Sequence, residues 1–439
     1  MVPMPQGPPA AATAGATTPP AATDRIARCG VDRERFSFAL PLPPLPPRVQ
    51  LVDHEHPPAA ADHLRTGLVL QRLDRVADLH GILLLITVIN NKIGCLSIPD
   101  KRRADAVERT IVTMGVCAPE RQAYAERTAA TLGRPLHLLC YRDLRAAHAL
   151  PHPRPRASGE QAVVDLGTDV DLIHAIAERG GVEVEAVCIV DARHMIGDLL
   201  EGAPLVASAP ARDARGDVGA RARQAALALE LATRIVWVNW EQVPTAALAV
   251  QMALASHLNP RATLRLSRDP RADLLAAAPR EDETEILERA GWVRALNDEH
   301  DPYMRDNRVS TLRYDQVRPF HPERLQTALD RLDDGAAGRL VRSAGFCRIA
   351  SRPGILARWE HVGSAMWIEP IGTDDGRMGV GQEIAFAGLD LSAPRLRHVL
   401  DLAALTDDEL AAGPEAWTRF EDPLPAWPSA ESAIPDATD

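Results

Sequence analysis

The sequence predicts an α/β protein in which a parallel-sheet domain at residues 106–266 is followed by a smaller α+β domain at 308–427. From about residue 110, short apolar runs alternate with helical segments, which is typical of a parallel sheet covered by helices on both faces. After residue 308 the predicted order of elements changes to β-α-β-β-β-α. A chain of 439 residues fits about two to three domains.

Five apolar runs form the predicted sheet of the first domain. The predicted strands are IVTMGV (111–116), PLHLLCY (135–141), AVVDLG (162–167), EAVCIVDA (185–192) and RIVWVNW (234–240). The predicted helices cover 119–133, 169–180, 220–233 and 244–258. Because the runs are continuously apolar, we expect both faces of this sheet to be buried.

The second domain has its own pattern of elements. The predicted strands cover 308–317, 340–352, 364–372 and 381–388, and the predicted helices cover 321–332 and 392–405. In the last helix, Val399 and Leu400 should face the sheet, whereas Arg395, Arg397 and Asp401 should be exposed. We therefore expect residues 308–427 to fold alone around their own core.

Three segments lie outside the predicted domains. Residues 1–105 form a Pro/Ala-rich extension, expected to be largely disordered or poorly defined, because 13 of the 36 prolines precede residue 60. Residues 267–307 are charged and are expected to form a linker with a short helix at 283–290. Residues 428–439 are expected to form an acidic tail.

Composition argues against several functional classes. The formal net charge of −11 argues against a DNA-binding protein that depends on overall attraction to phosphates. No apolar run approaches the roughly 18 residues of a membrane helix, and the first residues lack a secretory signal pattern. The six cysteines show no disulfide-framework spacing, so we expect a cytoplasmic protein with no membrane partner.

Several motifs in the second domain resemble the C-terminal domain of CobW-type GTPases. They are VSTLRYDQVRPFHPERLQTAL, LVRSAGFCRIASRPG, MWIEPIG and the run from GQEIAFAG to EDPLPAW, in that order. Within the first domain, EAVCIVDARHMIGDLL and RIVWVNWEQV resemble the P-loop domain of the same family more faintly. The resemblance implies a P-loop-like parallel sheet before a CobW C-terminal domain. It also implies GTP and Mg²⁺ as ligands, and a cytoplasmic role in metal insertion or zinc homeostasis.

The P-loop motif itself is degenerate. A P-loop requires GxxxxGK[ST], with backbone amides and a lysine on the phosphates and a hydroxyl on Mg²⁺. The corresponding run, MGVCAPER at 114–121, has Gly115 but no lysine, and the chain has only two lysines, Lys92 and Lys101. Neither follows a glycine-rich turn. We therefore expect nucleotide hydrolysis to be lost.

The guanine-recognition motif is also altered. Asn239 is present, but Trp240 replaces the lysine and Gln242 the aspartate that the resemblance implies. Trp240 could stack on a base, or it could pack in the core at the end of a strand. Gly115, Asn239 and Trp240 are therefore the remnants of a nucleotide site. Asp165 and Asp191, at strand ends, are expected to serve as structural caps.

A zinc site is one hypothesis for the loop after the second strand. The Cys-x-Cys-Cys loop implied by the resemblance is absent, and the substitute set is His137, Cys140, His148 and His152. Zinc accepts such ligands in a tetrahedral arrangement. The alternative is a buried cysteine with loop histidines, because His137 and Cys140 should face opposite sides of a strand.

Basic residues of the second domain indicate a partner surface. Arg318, His321 and Arg324 lie around PFHPER, and residues 308–358 contain ten arginines against five acids. With Tyr314, Phe320, Phe346 and Trp359 between them, these arginines could face RNA or a ribosome, or they could form a solvated face.

Three functional hypotheses follow. The first is a CobW-like protein of zinc homeostasis that acts through contacts with a protein client, without hydrolysis. The second is an active GTP-dependent metallochaperone. The third is a ribosome-associated factor linked to zinc limitation, because the divergent actinobacterial branch of the family includes ribosome-associated members.

Overall fold

The computed structural model describes residues 110–139, 162–177, 184–200, 221–275, 286, 288–373 and 381–427. The chain divides into two units, residues 1–58 and 59–439, and every described residue lies in the second unit. The predicted extension at 1–105 and the predicted tail at 428–439 lie outside the described residues. In the described part of the chain, no helix has the length and hydropathy required to cross a bilayer.

The first sheet has six parallel strands in the order β2-β3-β1-β4-β5-β6. The strands are β1 (Thr110–Met114), β2 (Leu136–Leu139), β3 (Val163–Leu166), β4 (Val184–Asp191), β5 (Arg234–Val238) and β6 (Thr263–Leu266). The five predicted strands are therefore confirmed. β6 was not predicted, because its four residues, TLRL, are only partly buried and follow a helix without a long apolar run.

Seven helices lie between residues 118 and 296 in the described ranges; the first six accompany this sheet, and the seventh packs on the second sheet. They are α1 (Ala118–Leu132), α2 (Leu172–Ala177), α3 (Met195–Leu200), α4 (Arg221–Leu231), α5 (Thr245–Leu258), α6 (Pro270–Leu275) and α7 (Gly291–Leu296). Residues of β1 alternate between the two faces of the sheet. Val112 and Met114 pack with α4 and α5, while Ile111 packs with Tyr124 of α1. Both faces are buried, as the apolar runs predicted.

The second sheet has five antiparallel strands in the order β10-β9-β8-β11-β7. Its strands are β7 (Val309–Gln316), β8 (Arg339–Cys347), β9 (Ile355–Val362), β10 (Ala365–Thr373) and β11 (Gln382–Leu389). Its helices are α8 (Pro322–Asp333), α9 (Ala393–Asp401), α10 (Asp407–Ala412) and α11 (Pro414–Trp417). Val399 and Leu400 are buried, and Arg395, Arg397 and Asp401 are exposed, so the predicted orientation of α9 is confirmed.

Strand β9 was missed by the sequence pattern. Its sequence, ILARWEHV, carries Arg358, Glu360 and His361, which obscure the apolar alternation expected of a strand. Glu360 and His361 are nevertheless buried. Arg358 and Glu360 take part in ion pairs, and these charges satisfy one another within the fold.

The two faces of the second sheet are covered by different parts of the chain. Helices α8 and α9 cover one face, where Phe386 and Leu400 are fully buried. On the other face, Phe346 packs against Trp292 of α7, and α4 and α5 contact β9, β7 and β11. The predicted linker at 267–307 therefore contains a helix, α7, that is part of the core, and the domain boundaries remain predictions.

Candidate functional site

The carboxyl edge of the first sheet is the place where an open α/β domain binds ligands. The connection after β1 leads toward β3 and β2, and the connection after β4 leads toward β5 and β6. The crevice between the ends of β1 and β4 is therefore the topological switch point, beside Gly115 and Asp191. It coincides with the position of the degenerate P-loop.

The turn after β1 is packed directly on β4. Gly115 has a φ of 136°, and a Cβ atom there would lie 2.4 Å from the carbonyl oxygen of Ile189. The Sγ of Cys117 donates to the same oxygen at 3.2 Å. Burial raises the pKa of this thiol to about 12, so it stays protonated at neutral pH. The turn therefore leaves no loop open around a phosphate.

Arg121 lies beneath this turn in a buried ion pair. Its Nε donates to Oδ1 of Asp165 at 2.7 Å, its Nη2 donates to Oδ2 at 3.2 Å, and its Nη1 donates to the carbonyl of Gly115 at 2.7 Å. The hydroxyl of Thr113 also donates to Asp165, at 2.7 Å. The two charged side chains are 2% and 1% exposed. Arg121 is thus committed to the fold and does not face a ligand.

Sequence reasoning missed Arg121, although a signal was present. Arg121 shares the helical spacing of Tyr124, Ala125, Thr128 and Ala129, all of which are buried in α1. An arginine on such a stripe requires a buried carboxylate, and AVVDLG places Asp165 in an otherwise apolar strand.

A second arginine occupies the outer side of the crevice. The carboxylate of Asp191, at the end of β4, accepts hydrogen bonds from the backbone and guanidinium of Arg193 and from Nδ2 of Asn239 at 2.9 Å. Burial raises the pKa of Asp191, but these hydrogen bonds outweigh it and lower the pKa to about 2. Arg193 also reaches Glu120, in the first turn of α1, at 3.4 Å. The predicted capping role of Asp191 agrees with these contacts.

Trp240 is held within the first domain. Its Nε1 donates to the carbonyl of Ser267 at 3.0 Å, and the guanidinium of Arg268 lies 5.3 Å from its ring centroid. The ring is partly buried against the core. Asn239 adopts a left-handed conformation, with a φ of 56°. The structure therefore brings Asn239 and Gly115 to the same edge but turns both toward internal contacts.

The described residues do not fit GTP and Mg²⁺. The cavity beside the turn is lined by Gly115, Cys117, Cys188, Met195 and Asp198, and its volume is about 20 Å³. That volume holds about one water molecule. Glu120 also places a negative charge in the first turn of α1, where a phosphate would have to bind.

The described residues contain no group of three or more His, Cys, Asp or Glu side chains placed to hold a metal. His137 lies on the edge strand β2 and is exposed. Cys140, His148 and His152 lie outside the described residues, so the predicted zinc set stays a prediction.

The three partner-binding candidates, Arg318, His321 and Arg324, lie close together and are covered by residues near the end of the described chain. Arg318 donates to Asp407 and to the carbonyl of Leu405, the latter at 3.1 Å. Arg324 donates to both carboxylate oxygens of Glu409, at 2.8 and 2.6 Å. The ring of His321 lies 4.4 Å from that of Phe420, between centroids. Burial lowers the pKa of His321, and so does the nearby Arg324. All three side chains therefore contact residues 405–420.

The interpretation of residues 308–358 as an arginine face with interleaved aromatic side chains is wrong in one respect. Tyr314, Phe320, Phe346 and Trp359 are at most 2% exposed, so they belong to the core and cannot stack on bases. At least seven of the ten arginines form ion pairs within the fold, namely Arg308, Arg313, Arg318, Arg324, Arg342, Arg352 and Arg358.

A buried charge network between the two sheets was not predicted. Arg342 of β8 donates to both carboxylate oxygens of Glu230 in α4, at 2.7 and 3.2 Å, and lies 3.4 Å from Glu360. Arg223 of α4 donates to Glu360 at 3.0 Å. Burial raises the pKa of Glu360, but Arg223, Arg358 and Arg342 outweigh it and lower that pKa well below its usual range. A single charged residue inside an apolar run, as in LVRSAGF and ALALELAT, is the sequence signal that could have indicated this network.

Comparison with known proteins finds a family match in the second half of the chain. Residues 309–404 match the model of the cobalamin synthesis protein CobW C-terminal domain. The chain is 27% identical over 204 residues to zinc-regulated GTPase metalloprotein activator 1 of Dictyostelium discoideum, covering 39% of this chain and 41% of that protein. It is 29% identical over 152 residues to a zinc chaperone of Mycobacterium tuberculosis, covering 29% of this chain and 37% of that protein.

The matched region spans less than half the length of either curated relative. Among solved structures, the zinc-bound YjiA GTPase from E. coli aligns at 11% identity with a TM-score of 0.30, covering 69% of this chain and 100% of that one. The family-model match at residues 309–404 confirms the resemblance to CobW-type proteins. The predicted fold class is confirmed as well, since a P-loop-like parallel sheet with helices precedes a smaller CobW C-terminal domain.

Proposed function

We propose that this chain is a CobW-type protein of zinc homeostasis that acts by binding partners and does not hydrolyse GTP. The observation that supports the absence of GTP hydrolysis is the closed carboxyl edge of the first sheet. There, Arg121 is paired with Asp165, and Arg193 is paired with Asp191 and Glu120. The zinc part is supported by the names of the relatives, one a zinc-regulated activator and the other a zinc chaperone.

The chemistry of the edge favours this function over that of an active GTPase. Hydrolysis requires a positive charge and Mg²⁺ at the β- and γ-phosphates. Both arginines at the edge are already neutralised by carboxylates of the chain, and Glu120 would repel an incoming phosphate. A cytoplasmic location accompanies the proposal, supported by the free cysteines Cys117, Cys188 and Cys347.

The experiment is a calorimetric titration of the full chain with GTP and Mg²⁺. We expect no dissociation constant below about 100 μM and no release of phosphate with or without zinc. A low-micromolar constant, or turnover stimulated by zinc, would show that the edge opens and would favour the GTP-dependent metallochaperone. Zinc itself is tested separately, by competition with a chromophoric chelator. Replacing His137, Cys140, His148 and His152 together with alanine should remove any tight site.

A genetic measurement tests the zinc part directly. Deletion of the gene should slow growth in medium depleted of zinc by a chelator and leave growth in zinc-replete medium unchanged. Equal growth of the deletion strain and its parent in both media would contradict a role in zinc homeostasis.

A further inference from the structure

We propose that Arg318, His321, Arg324 and Arg352 form a docking surface for an acidic, aromatic-bearing peptide segment of a partner protein. Residues 406–427, here called the terminal segment, occupy this surface within the same chain. The inference deepens the proposed partner-binding function and rests on it. Its test involves neither zinc nor GTP, so its failure would leave the roles tested above unaffected.

Each arginine of the surface receives a carboxylate from the terminal segment. Arg318 pairs with Asp407, and Arg324 binds Glu409 through two hydrogen bonds. The third, Arg352, donates to both oxygens of Asp422, at 2.8 and 3.2 Å. Planar guanidinium groups recognise carboxylates in this bidentate manner, so the surface has the chemistry of an acidic-peptide site.

Aromatic side chains of the terminal segment complete the contact. Phe420 lies against His321, and the ring of Trp427 lies 4.3 Å from the guanidinium carbon of Arg352. The Nε1 of Trp427 also donates to the carbonyl of Ile368 at 2.8 Å. The occupant is therefore a peptide with acids and aromatics at intervals. This favours a protein partner over RNA, whose phosphates would satisfy the arginines but supply none of these directional indole contacts.

The terminal segment is attached weakly enough to be displaced. Helices α10 and α11 contain no buried residue; within 406–427 the segment contributes one buried residue, Leu424, to the core, and Trp427 packs against that core partly buried. The carboxylate of Asp407 is 87% exposed, whereas those of Glu409 and Asp422 are 24% and 20% exposed. A segment held by partly exposed ion pairs with little apolar burial opens locally before the rest of a fold, and here the pair at Asp407 is the first to exchange.

Exposed apolar residues surround the same contact. Among the described residues, five large apolar side chains are exposed, and two of them, Val317 and Leu402, belong to the part of the chain that carries the surface. Val317 precedes Arg318, and Leu402 follows α9. An incoming peptide would find apolar area beside the arginines, which interfaces of this kind require.

The test uses the full chain and, as probe, a fluorescent synthetic peptide with the sequence of residues 405–427. Replacing the three paired acids, as Asp407→Asn, Glu409→Gln and Asp422→Asn, should open the surface. The opened chain should bind the probe at least about tenfold more tightly than the unchanged chain in an anisotropy titration. Raising NaCl from about 50 to 500 mM should weaken that binding, because the arginines are partly exposed.

A matched control carries the same change of charge in the same segment. Asp408→Asn, Glu415→Gln and Glu421→Gln neutralise three exposed acids that form no ion pair with the surface arginines in the structure. This variant should bind the probe as the unchanged chain does. In the opened chain, adding Arg318→Gln and Arg324→Gln should abolish binding, whereas adding Arg395→Gln and Arg397→Gln on α9 should leave it intact.

Three results would overturn the proposal. They are no gain in affinity on opening, an equal gain in the matched control, or tighter binding of an RNA of about 20 nucleotides than of the peptide. If the opened chain loses its near-ultraviolet circular dichroism, the single variant Glu409→Gln is titrated in place of the triple variant. That variant should still raise affinity about threefold, and an unchanged affinity would equally reject the docking surface.

Discussion

Removing one partner of the buried pair between Arg121 and Asp165 should destabilise the first domain strongly. The substitution Arg121→Met keeps the length of the side chain but removes the positive partner of the Asp165 carboxylate, which is 1% exposed and keeps the neutral Thr113 hydroxyl as a donor. Breaking a buried ion pair in this way costs about 3–5 kcal/mol. For a domain of this size, the melting temperature should fall by about 6–20 °C.

The reciprocal variant and the double variant make the prediction specific. Asp165→Asn should cost a similar amount, because the buried guanidinium then keeps only neutral acceptors, the amide oxygen at position 165 and the carbonyl of Gly115, and loses its negative partner. The double variant, Arg121→Met with Asp165→Asn, removes both charges and should lie within about 2 kcal/mol of the unchanged chain. Urea unfolding followed by circular dichroism measures the free energies, and hydrogen exchange in β1 and β3 locates the loss. Single variants as stable as the unchanged chain would mean that both groups are hydrated and the edge is open.

Three further outcomes are expected. Burial, with Arg342 nearby, lowers the pKa of His361 from 6.5 to about 4, so the unfolded chain binds a proton in this range that the folded chain does not. The free energy of unfolding should therefore decrease by about 2 kcal/mol as the pH is lowered from 7.5 to 5. Urea midpoints at each pH measure this decrease, and an equal dependence on pH in His361→Gln would contradict the prediction. Leu400→Ala, at a fully buried position, should cost about 2–5 kcal/mol by the same method, whereas the exposed control Leu402→Ala should cost under about 1 kcal/mol. A fragment of residues 308–427 lacks α7 and should give poor amide dispersion in an NMR spectrum, because the face with Phe346 loses its cover; a well-dispersed spectrum would restore the autonomous domain that the sequence predicts.

Most of the first sheet could be predicted because its strands are continuous apolar runs separated by helices. The failures occur where a strand or helix carries the charges of an interface. Strand β9 contains Arg358 and Glu360, whose partners lie on β10 and on α4. Helix α7 follows a charged stretch, and its buried Trp292 and Leu296 pack on a sheet formed later in the chain. Local periodicity contains no information about such distant partners.

The sequence predicted where the candidate site lies, but not whether it is open to a ligand. The resemblance placed Gly115 and Asn239 at the carboxyl edge, and the structure puts both there. Whether that edge is open depends on the ion pairs of Arg121 and Arg193. Asp165, the partner of Arg121, is distant from it in sequence, whereas Asp191, the partner of Arg193, is close to it in sequence. An arginine in a first helical turn is equally compatible with a phosphate ligand and with an internal carboxylate. Only the three-dimensional distances distinguish the two.

The same chemistry, arginine paired with carboxylate, has opposite consequences at the two ends of the described chain because the burial differs. Between Arg121 and Asp165 almost no water intervenes, so dissolved salt screens the attraction little and separating the charges is costly. Arg318 and Asp407 are 33% and 87% exposed, so their attraction is screened and competes with that of any other carboxylate in solution. A buried ion pair therefore closes the carboxyl edge of the first sheet, while a more exposed one joins Asp407 to Arg318 in the second domain. Raising salt should therefore weaken the contact between Arg318 and Asp407 before it affects the pair between Arg121 and Asp165.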